Sequence, residues 1–154
     1  MAHHCYKRAR VGRASAHKGG ERMTDAGMAW PPVRAARGTV LVVDNGRMLT
    51  GEIGAALEGA GYRVLAATPL EALGMAHEVQ PDVVVLDARG TRHARAAGAL
   101  ARRLRGLGPT ALIPLVALAT QGRPTAALPV NEVVPPPGAG SEVAARVARW
   151  LPAA

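Results

Sequence analysis

Hydrophobic residues in this chain form short continuous runs, which alternate with longer stretches where apolar residues recur at helical spacing. The runs predict five strands, at residues 39–43, 62–67, 82–86, 112–118 and 130–134. Continuous rather than alternating apolar runs are typical of parallel strands that are buried on both faces. Because each strand is followed by a stretch compatible with a helix, the pattern predicts a doubly wound α/β fold with a five-stranded parallel sheet and helices on both faces.

The second and third predicted helices have clear sequence signals. Residues 68–71 (Thr-Pro-Leu-Glu) are typical of a helix start, with threonine as the N-cap, proline at the first position and glutamate pointing back to the cap. Leu70, Leu73 and Ala76 are expected to form the inner face of this helix. The third helix, over about residues 92–105, combines an apolar stripe with many arginines, and these arginines are expected to be solvated.

The pattern weakens after the fourth strand. Residues 120–130 contain two prolines and a glycine, so the fourth helix is predicted to be short or absent. Three consecutive prolines at 135–137 are expected to end the fifth strand at an edge of the sheet. A last helix from about residue 140 is expected to bury an apolar face that includes Trp150 and Leu151.

Charge divides the chain into two parts. Of the formal net charge of +8, most belongs to residues 1–38, which carry eight Lys and Arg against two acidic residues and show no apolar periodicity. This composition predicts a disordered basic extension over 1–38 and one domain over 39–154. The extension is expected to contact nucleic acid only non-specifically. One cysteine and the absence of a membrane-length apolar run favour a cytoplasmic protein without a membrane partner.

Acidic and amide side chains follow two of the predicted strands. Asp44 and Asn45 come directly after the first strand, and Asp87 ends the third. In open α/β sheets the carboxyl ends of the strands form the functional edge. Because carboxylate and amide oxygens are ligands for hard cations, these residues could together form a site for Mg²⁺.

The segments 41–45 (Leu-Val-Val-Asp-Asn) and 81–87 (Pro-Asp-Val-Val-Val-Leu-Asp) resemble the response-regulator receiver family of two-component signalling, and the resemblance covers residues 39 to about 151. It implies a flavodoxin-like fold and a signalling protein rather than an enzyme. Asp87 would be the phosphoacceptor. A histidine kinase or phosphotransfer protein would supply the phosphoryl group, and the output would be contact with a downstream protein target. Asp44, Asn45 and Asp87 would hold Mg²⁺, weakly because Asn45 replaces a carboxylate of the family pattern.

Other positions also depart from the family pattern. Ala119 stands at the position of the switch Ser or Thr at the end of the fourth strand, and Thr120 is the candidate for a switch residue displaced by one position. Prolines at 135–136 replace the Lys-Pro pair, and no lysine follows Lys18. Arg89 or Arg92, in the loop after Asp87, could supply part of the missing positive charge.

These departures leave more than one function open. The main alternative is a pseudo-receiver, a binding module that kept the fold and lost phosphate switching. A nucleotide- or flavin-binding enzyme of the same fold class would need a glycine-rich phosphate loop after the first strand, which the sequence lacks. An inert α/β domain is the remaining alternative. His77 and His93 lack partner motifs and are predicted to lie on the surface.

Overall fold

The computed structural model describes residues 35–44, 47–106, 108–119, 128–135 and 140–151, with the backbone alone for 47–50. Strands and helices alternate in the order β1 (Thr39–Val43), α1 (Arg47–Gly59), β2 (Arg63–Ala67), α2 (Pro69–Val79), β3 (Val83–Ala88), α3 (Thr91–Gly106), β4 (Leu115–Ala119), β5 (Glu132–Val134) and α4 (Gly140–Ala148). This order confirms the predicted alternation. The prediction of a short or absent helix after β4 falls mainly on residues 120–127, outside the described part of the chain.

The five strands form one parallel sheet in the order β2-β1-β3-β4-β5. The predicted doubly wound α/β architecture is therefore confirmed. β3 lies between β1 and β4, and all of its residues are buried, as expected for a valine-rich strand covered on both faces. Among the described residues, no helix is long and apolar enough to cross a membrane.

Helices cover both faces of the sheet and create two cores. On one face, Ile53 and Leu57 of α1 and Val143 and Val147 of α4 pack against the strands. On the other face, small and aliphatic side chains of α2 and α3 pack against the alternate strand residues. Where α4 begins, a Cβ on Gly140 would lie 2.7 Å from the Cβ of an α1 alanine, so only glycine permits this close approach.

The start of α2 has the predicted cap, and its inner face agrees with the prediction in part. The Thr68 hydroxyl accepts a hydrogen bond from Glu71 N, and the Glu71 carboxylate accepts from Thr68 N, which completes a capping box. Ala76 is buried as predicted, together with Ala72, and Leu73 is partly buried against the same core. The prediction for Leu70 is wrong: it is 92% exposed, because it lies about 200° around the helix from Ala72.

The fourth strand starts later than the sequence pattern suggests. β4 begins at Leu115, after a single 3-10 turn over Gly108–Thr110 and a bend that ends at Pro114. Leu112 is 92% exposed and does not belong to the strand. Hydrophobicity alone could not distinguish this leucine from the residues of the strand proper.

The C-terminal end of α4 also differs from its prediction. The helix ends at Ala148, and Trp150 is 37% exposed instead of buried. Its indole Nε1 donates to Glu132 Oε2 over 2.8 Å, and Glu132 Oε1 accepts from Arg146 (2.7 Å) and Arg149 (3.2 Å). Burial raises the pKa of Glu132, but the hydrogen bonds from Arg146 and Trp150, with the nearby arginine charges, outweigh it and leave that pKa below its ordinary value.

Side chains fix the short edge strand β5. Asn131 N donates to Leu115 O and Asn131 Oδ1 accepts from Leu115 N, both over 2.8 Å, which aligns the start of β5 with β4. Arg105 of α3 donates to the same Asn131 Oδ1. It also donates to the carbonyl oxygens of Ala111 and Ile113, over 2.8 Å each. One arginine thus ties α3, the approach to β4 and the start of β5 together.

The domain begins before residue 39. Arg37 N donates to Gly61 O over 2.9 Å, and its guanidinium lies 5.3 Å from the centre of the Tyr62 ring. Gly38 O accepts from Arg63 N over 2.9 Å. These contacts place Arg37 and Gly38 with the domain, although both fall within the predicted extension of 1–38; residues 1–34 of that prediction lie outside the described part of the chain.

Candidate functional site

Asp44 and Asp87 lie next to each other at the carboxyl ends of two central strands. β1 and β3 are hydrogen-bonded neighbours with Val43 opposite Leu86, so Asp44 and Asp87 each follow a paired residue at the same edge of the sheet. Both aspartates are 8% exposed. Two carboxylates buried side by side repel each other unless cations or hydrogen-bond donors compensate the charge. The chemistry of this edge therefore depends on what surrounds them.

Both carboxylate oxygens of Asp87 have a basic neighbour. Asp87 Oδ1 accepts from the backbone N and from Nε of Arg89, each over 3.0 Å, and Asp87 Oδ2 accepts from Arg89 Nη2 over 3.4 Å. His93 Nδ1 lies 3.2 Å from the same Oδ2. We call this arrangement of Arg89 and His93 around Asp87 the Arg–His clamp.

A tight turn makes the clamp possible. β3 ends at Ala88, and Gly90 has φ +77°, a left-handed conformation that favours glycine. α3 then begins at Thr91, so that His93 lies in its first turn. The turn brings Arg89, which precedes Gly90, and His93, which follows it, back to the carboxylate of Asp87.

Arg89 is a cation within an acidic region of the molecule. Its hydrogen bond to Asp87 raises the pKa of Arg89, burial opposes the shift, and the negative charges of Asp87, Asp44 and Glu52 add to it. The Asp87 side chain is buried, whereas the Arg89 side chain is 47% exposed. Arg89 thus compensates the buried acids while part of its surface is in contact with solvent, so it can leave Asp87 without unpacking the core.

The donor set fits a hard cation only in part. Two carboxylates on adjacent strand ends are suitable Mg²⁺ ligands. Asn45, the third predicted ligand, lies outside the described residues. Within the described ranges, no three His, Cys, Asp or Glu side chains come together to hold a metal ion. A divalent cation would also have to compete with the guanidinium of Arg89 for the oxygens of Asp87.

The structure describes only some of the positions at which the family pattern has its switch residue and its lysine. Ala119 ends β4 opposite Ala88 and is buried, so the switch position holds a methyl group beside the site. Thr120 lies outside the described residues, as does Pro136, while Pro135 is exposed.

His93 is the functional candidate that sequence reasoning missed. It was predicted to lie on the surface, whereas it contacts Asp87 and its side chain is about one third exposed. His77 is exposed, as predicted. The contact of His93 depends on the turn at Gly90, and the available signal was its position in the first turn of the helix that follows a strand-ending aspartate.

No protein-family model and no curated protein sequence matches this chain. Solved structures do. A protein described as a response regulator from Chloroflexus aurantiacus J-10-fl is 26% identical, with a TM-score of 0.63, covering 73% of this chain and 96% of its own. A response regulator protein from Burkholderia multivorans is 26% identical, with a TM-score of 0.54 and coverage of 75% and 97%.

The chemotaxis response regulator CheY4 of Vibrio cholerae has the same fold. It is 22% identical, with a TM-score of 0.62, and the match covers 73% of this chain and 98% of CheY4. In all three matches nearly the whole of the other protein is covered. The resemblance to receiver domains expected from the sequence is thereby confirmed.

Proposed function

Since the chain resembles receiver domains of the response-regulator type in its sequence motifs and in its fold, we propose that it is a signalling protein that takes up a phosphoryl group on Asp87 and acts through contact with another protein. One observation carries this proposal: Asp87 is a buried carboxylate at the end of the central strand β3, with Asp44 beside it. This is the edge at which parallel sheets hold their chemistry. The donor would be a histidine kinase or phosphotransfer protein, and the protein would act in the cytoplasm.

The residues of the site have distinct roles in such a transfer. An oxygen of Asp87 attacks the phosphorus of a phosphohistidine; the new P–O bond forms as the P–N bond breaks, and its electron pair stays on the histidine nitrogen. Mg²⁺ held by Asp44, Asn45 and Asp87 would neutralise charge on the transferring group.

Arg89 has to leave the attacking oxygen before transfer. Its half-exposed guanidinium can then donate to the phosphoryl oxygens, which are better acceptors for it than water. Arg89 would thereby supply the positive charge that the missing lysine provides in the family pattern.

A second candidate function is supported by the Arg–His clamp itself. Both oxygens of Asp87 are already engaged by basic groups of the same chain. The buried methyl group of Ala119 cannot donate a hydrogen bond to a phosphoryl group. These features suit a pseudo-receiver that binds its partner in one conformation, because phosphorylation would create few new contacts to favour a second one.

Incubation with acetyl phosphate and Mg²⁺, followed by intact-mass measurement, tests the primary proposal. We expect the mass of one phosphoryl group to be added, and no addition to Asp87→Asn, which keeps the shape of the side chain but removes the nucleophile. Asp82→Asn is the matched control, because Asp82 lies before β3 and accepts from Thr39 N over 2.7 Å at the opposite edge of the sheet. A failure of the wild-type chain to gain mass would favour the pseudo-receiver.

A further inference from the structure

The outer surface of α2 and α3 carries an apolar groove that shares no residue with the Asp87 site. Its volume is about 340 Å³, and it is lined by Pro69, Leu70, Ala96, Ala99, Leu100 and Arg103. Ala96 and Ala99 are small, so they leave a shallow valley between the bulkier residues at its margins. A valley of this kind admits the backbone of a second helix at short distance.

Leu70 is the apolar anchor of this groove. Its side chain is 92% exposed. It lies between Thr68 and Glu71, whose side chains form the capping box, so its backbone position is fixed. Because the backbone at Leu70 is already ordered, covering this residue costs only the rotamer freedom of its side chain.

Exposed arginines surround the small residues of α3. Arg92, Arg95, Arg102 and Arg103 are all exposed, and they lie on the turns before and after Ala99. The sequence of α3 contains no acidic residue, so no ion pair can form within the helix. Within the described part of the chain, none of these four arginines forms a salt bridge. Arg103 thus brings a positive charge to the groove itself, and the other three arginines continue the positive charge along α3 beyond the groove lining. Glu71, the acidic residue that follows Leu70, is engaged by Thr68 in the capping box.

We propose that this groove is the docking site for an acidic amphipathic helix of a partner protein. Apolar residues of that helix would cover Leu70 and the alanine valley, while its acidic residues would face Arg103 and the positive charge that continues along α3. The positive charge favours an acidic partner. The exposed leucine favours a partner protein with an apolar helix face over a nucleic acid with its phosphate backbone. The described lining contains no aromatic side chain on which a nucleic-acid base could stack. Docking here goes beyond phosphate uptake and does not require Asp87.

A designed peptide provides the test. The probe is a helix of about four turns with leucines on one stripe and glutamates elsewhere, and the control peptide has the same composition in scrambled order. Binding to the full chain is followed by fluorescence anisotropy and by amide NMR shifts. We expect the amphipathic peptide alone to bind and to shift the amide signals of Leu70 and Ala99.

Variants of the chain separate the groove from the rest of the surface. Leu70→Ser and Arg103→Glu should each weaken binding by about tenfold. Leu112→Ser is the matched control, because Leu112 is equally exposed but does not line the groove, and its affinity should be unchanged. Circular dichroism verifies that all three variants fold.

Several results would overturn the proposal. One is the absence of peptide binding, and another is equal binding of both peptides. Equal losses in Leu70→Ser and Leu112→Ser would also exclude the groove. Tighter binding of phosphatidylserine vesicles or duplex DNA than of the peptide, sensitive to Arg103→Glu but not to Leu70→Ser, would assign the arginines to an anionic surface instead. Asp87→Asn should leave peptide binding intact, so a failure of phosphate uptake does not affect this test.

Discussion

Replacing Arg89 by glutamine should tighten Mg²⁺ binding at the Asp87 edge. The substitution removes the guanidinium that donates to both oxygens of Asp87, over 3.0 and 3.4 Å. It retains the hydrogen bond from the backbone N of residue 89 to Oδ1, which does not depend on the side chain. The turn and the position of the carboxylate should therefore survive, and only the competing cation is lost.

The size of the effect follows from the exposure of the pair. Hydrogen bonds to charged groups contribute about 1.5–3 kcal/mol when shielded from water. The Arg89 side chain is 47% exposed, so solvent screening reduces the contribution to about 1 kcal/mol. Because about 1.4 kcal/mol corresponds to a tenfold change in an equilibrium constant, we expect Mg²⁺ to bind about fivefold more tightly to Arg89→Gln.

Mg²⁺ titrations followed by amide NMR signals near Asp44 and Ala88 measure this change. Arg92→Gln is the control, since it removes the same charge three residues further along, and Arg92 is exposed without a salt bridge among the described residues. A similar gain in both variants would assign the effect to overall charge rather than to the clamp. Unchanged affinity in Arg89→Gln would refute the competition between the guanidinium and the metal.

Three further predictions concern other parts of the chain. Asn45→Asp should tighten Mg²⁺ binding several-fold, because it adds a carboxylate ligand; equal titration curves would remove residue 45 from the coordination shell. Thr68→Ala should lower the free energy of unfolding by about 1 kcal/mol in urea denaturation, whereas Thr68→Ser should retain most of it. Glu132→Gln should lower the melting temperature at neutral pH. Folding lowers the pKa of Glu132, so its charge stabilises the folded state. This stabilisation is complete above the unfolded pKa of about 4.3 and is lost as the pH falls through the folded pKa. A difference in melting temperature that persisted in strong acid would show that it does not come from the Glu132 charge.

The sequence predicted the sheet and the strands that Asp44 and Asp87 follow or end, because both depend on strand order alone. Continuous apolar runs identify buried parallel strands, and residues that follow such strands lie at one edge. The start of β4 was predicted too early, because Leu112 is as hydrophobic as the strand residues but lies in a bend before Pro114. Hydrophobicity indicates which segments can be buried, and local backbone geometry decides which of them are.

The surroundings of Asp87 could be predicted only in part. Arg89 was a candidate for positive charge because it follows Asp87 in sequence. The approach of His93 was missed because it requires the left-handed backbone of Gly90 and the angle at which α3 leaves the turn. The exposure of Leu70 was missed for a related reason: Ala72 and Ala76 let α2 lie close to the sheet, so the smaller residues form its inner face.

Arg105 has a consequence for how this fold can change during evolution. Because Arg105 and Asn131 set the alignment of β5 with β4, the position of the edge strand is encoded in α3 and in the residue that precedes the strand. The residues that connect the two strands are released from that task, so insertions, deletions and substitutions there should be tolerated as long as the chain can span the distance. Lineages could thus diversify this connection while the sheet is inherited unchanged, and Arg105 with Asn131 would be replaced only together.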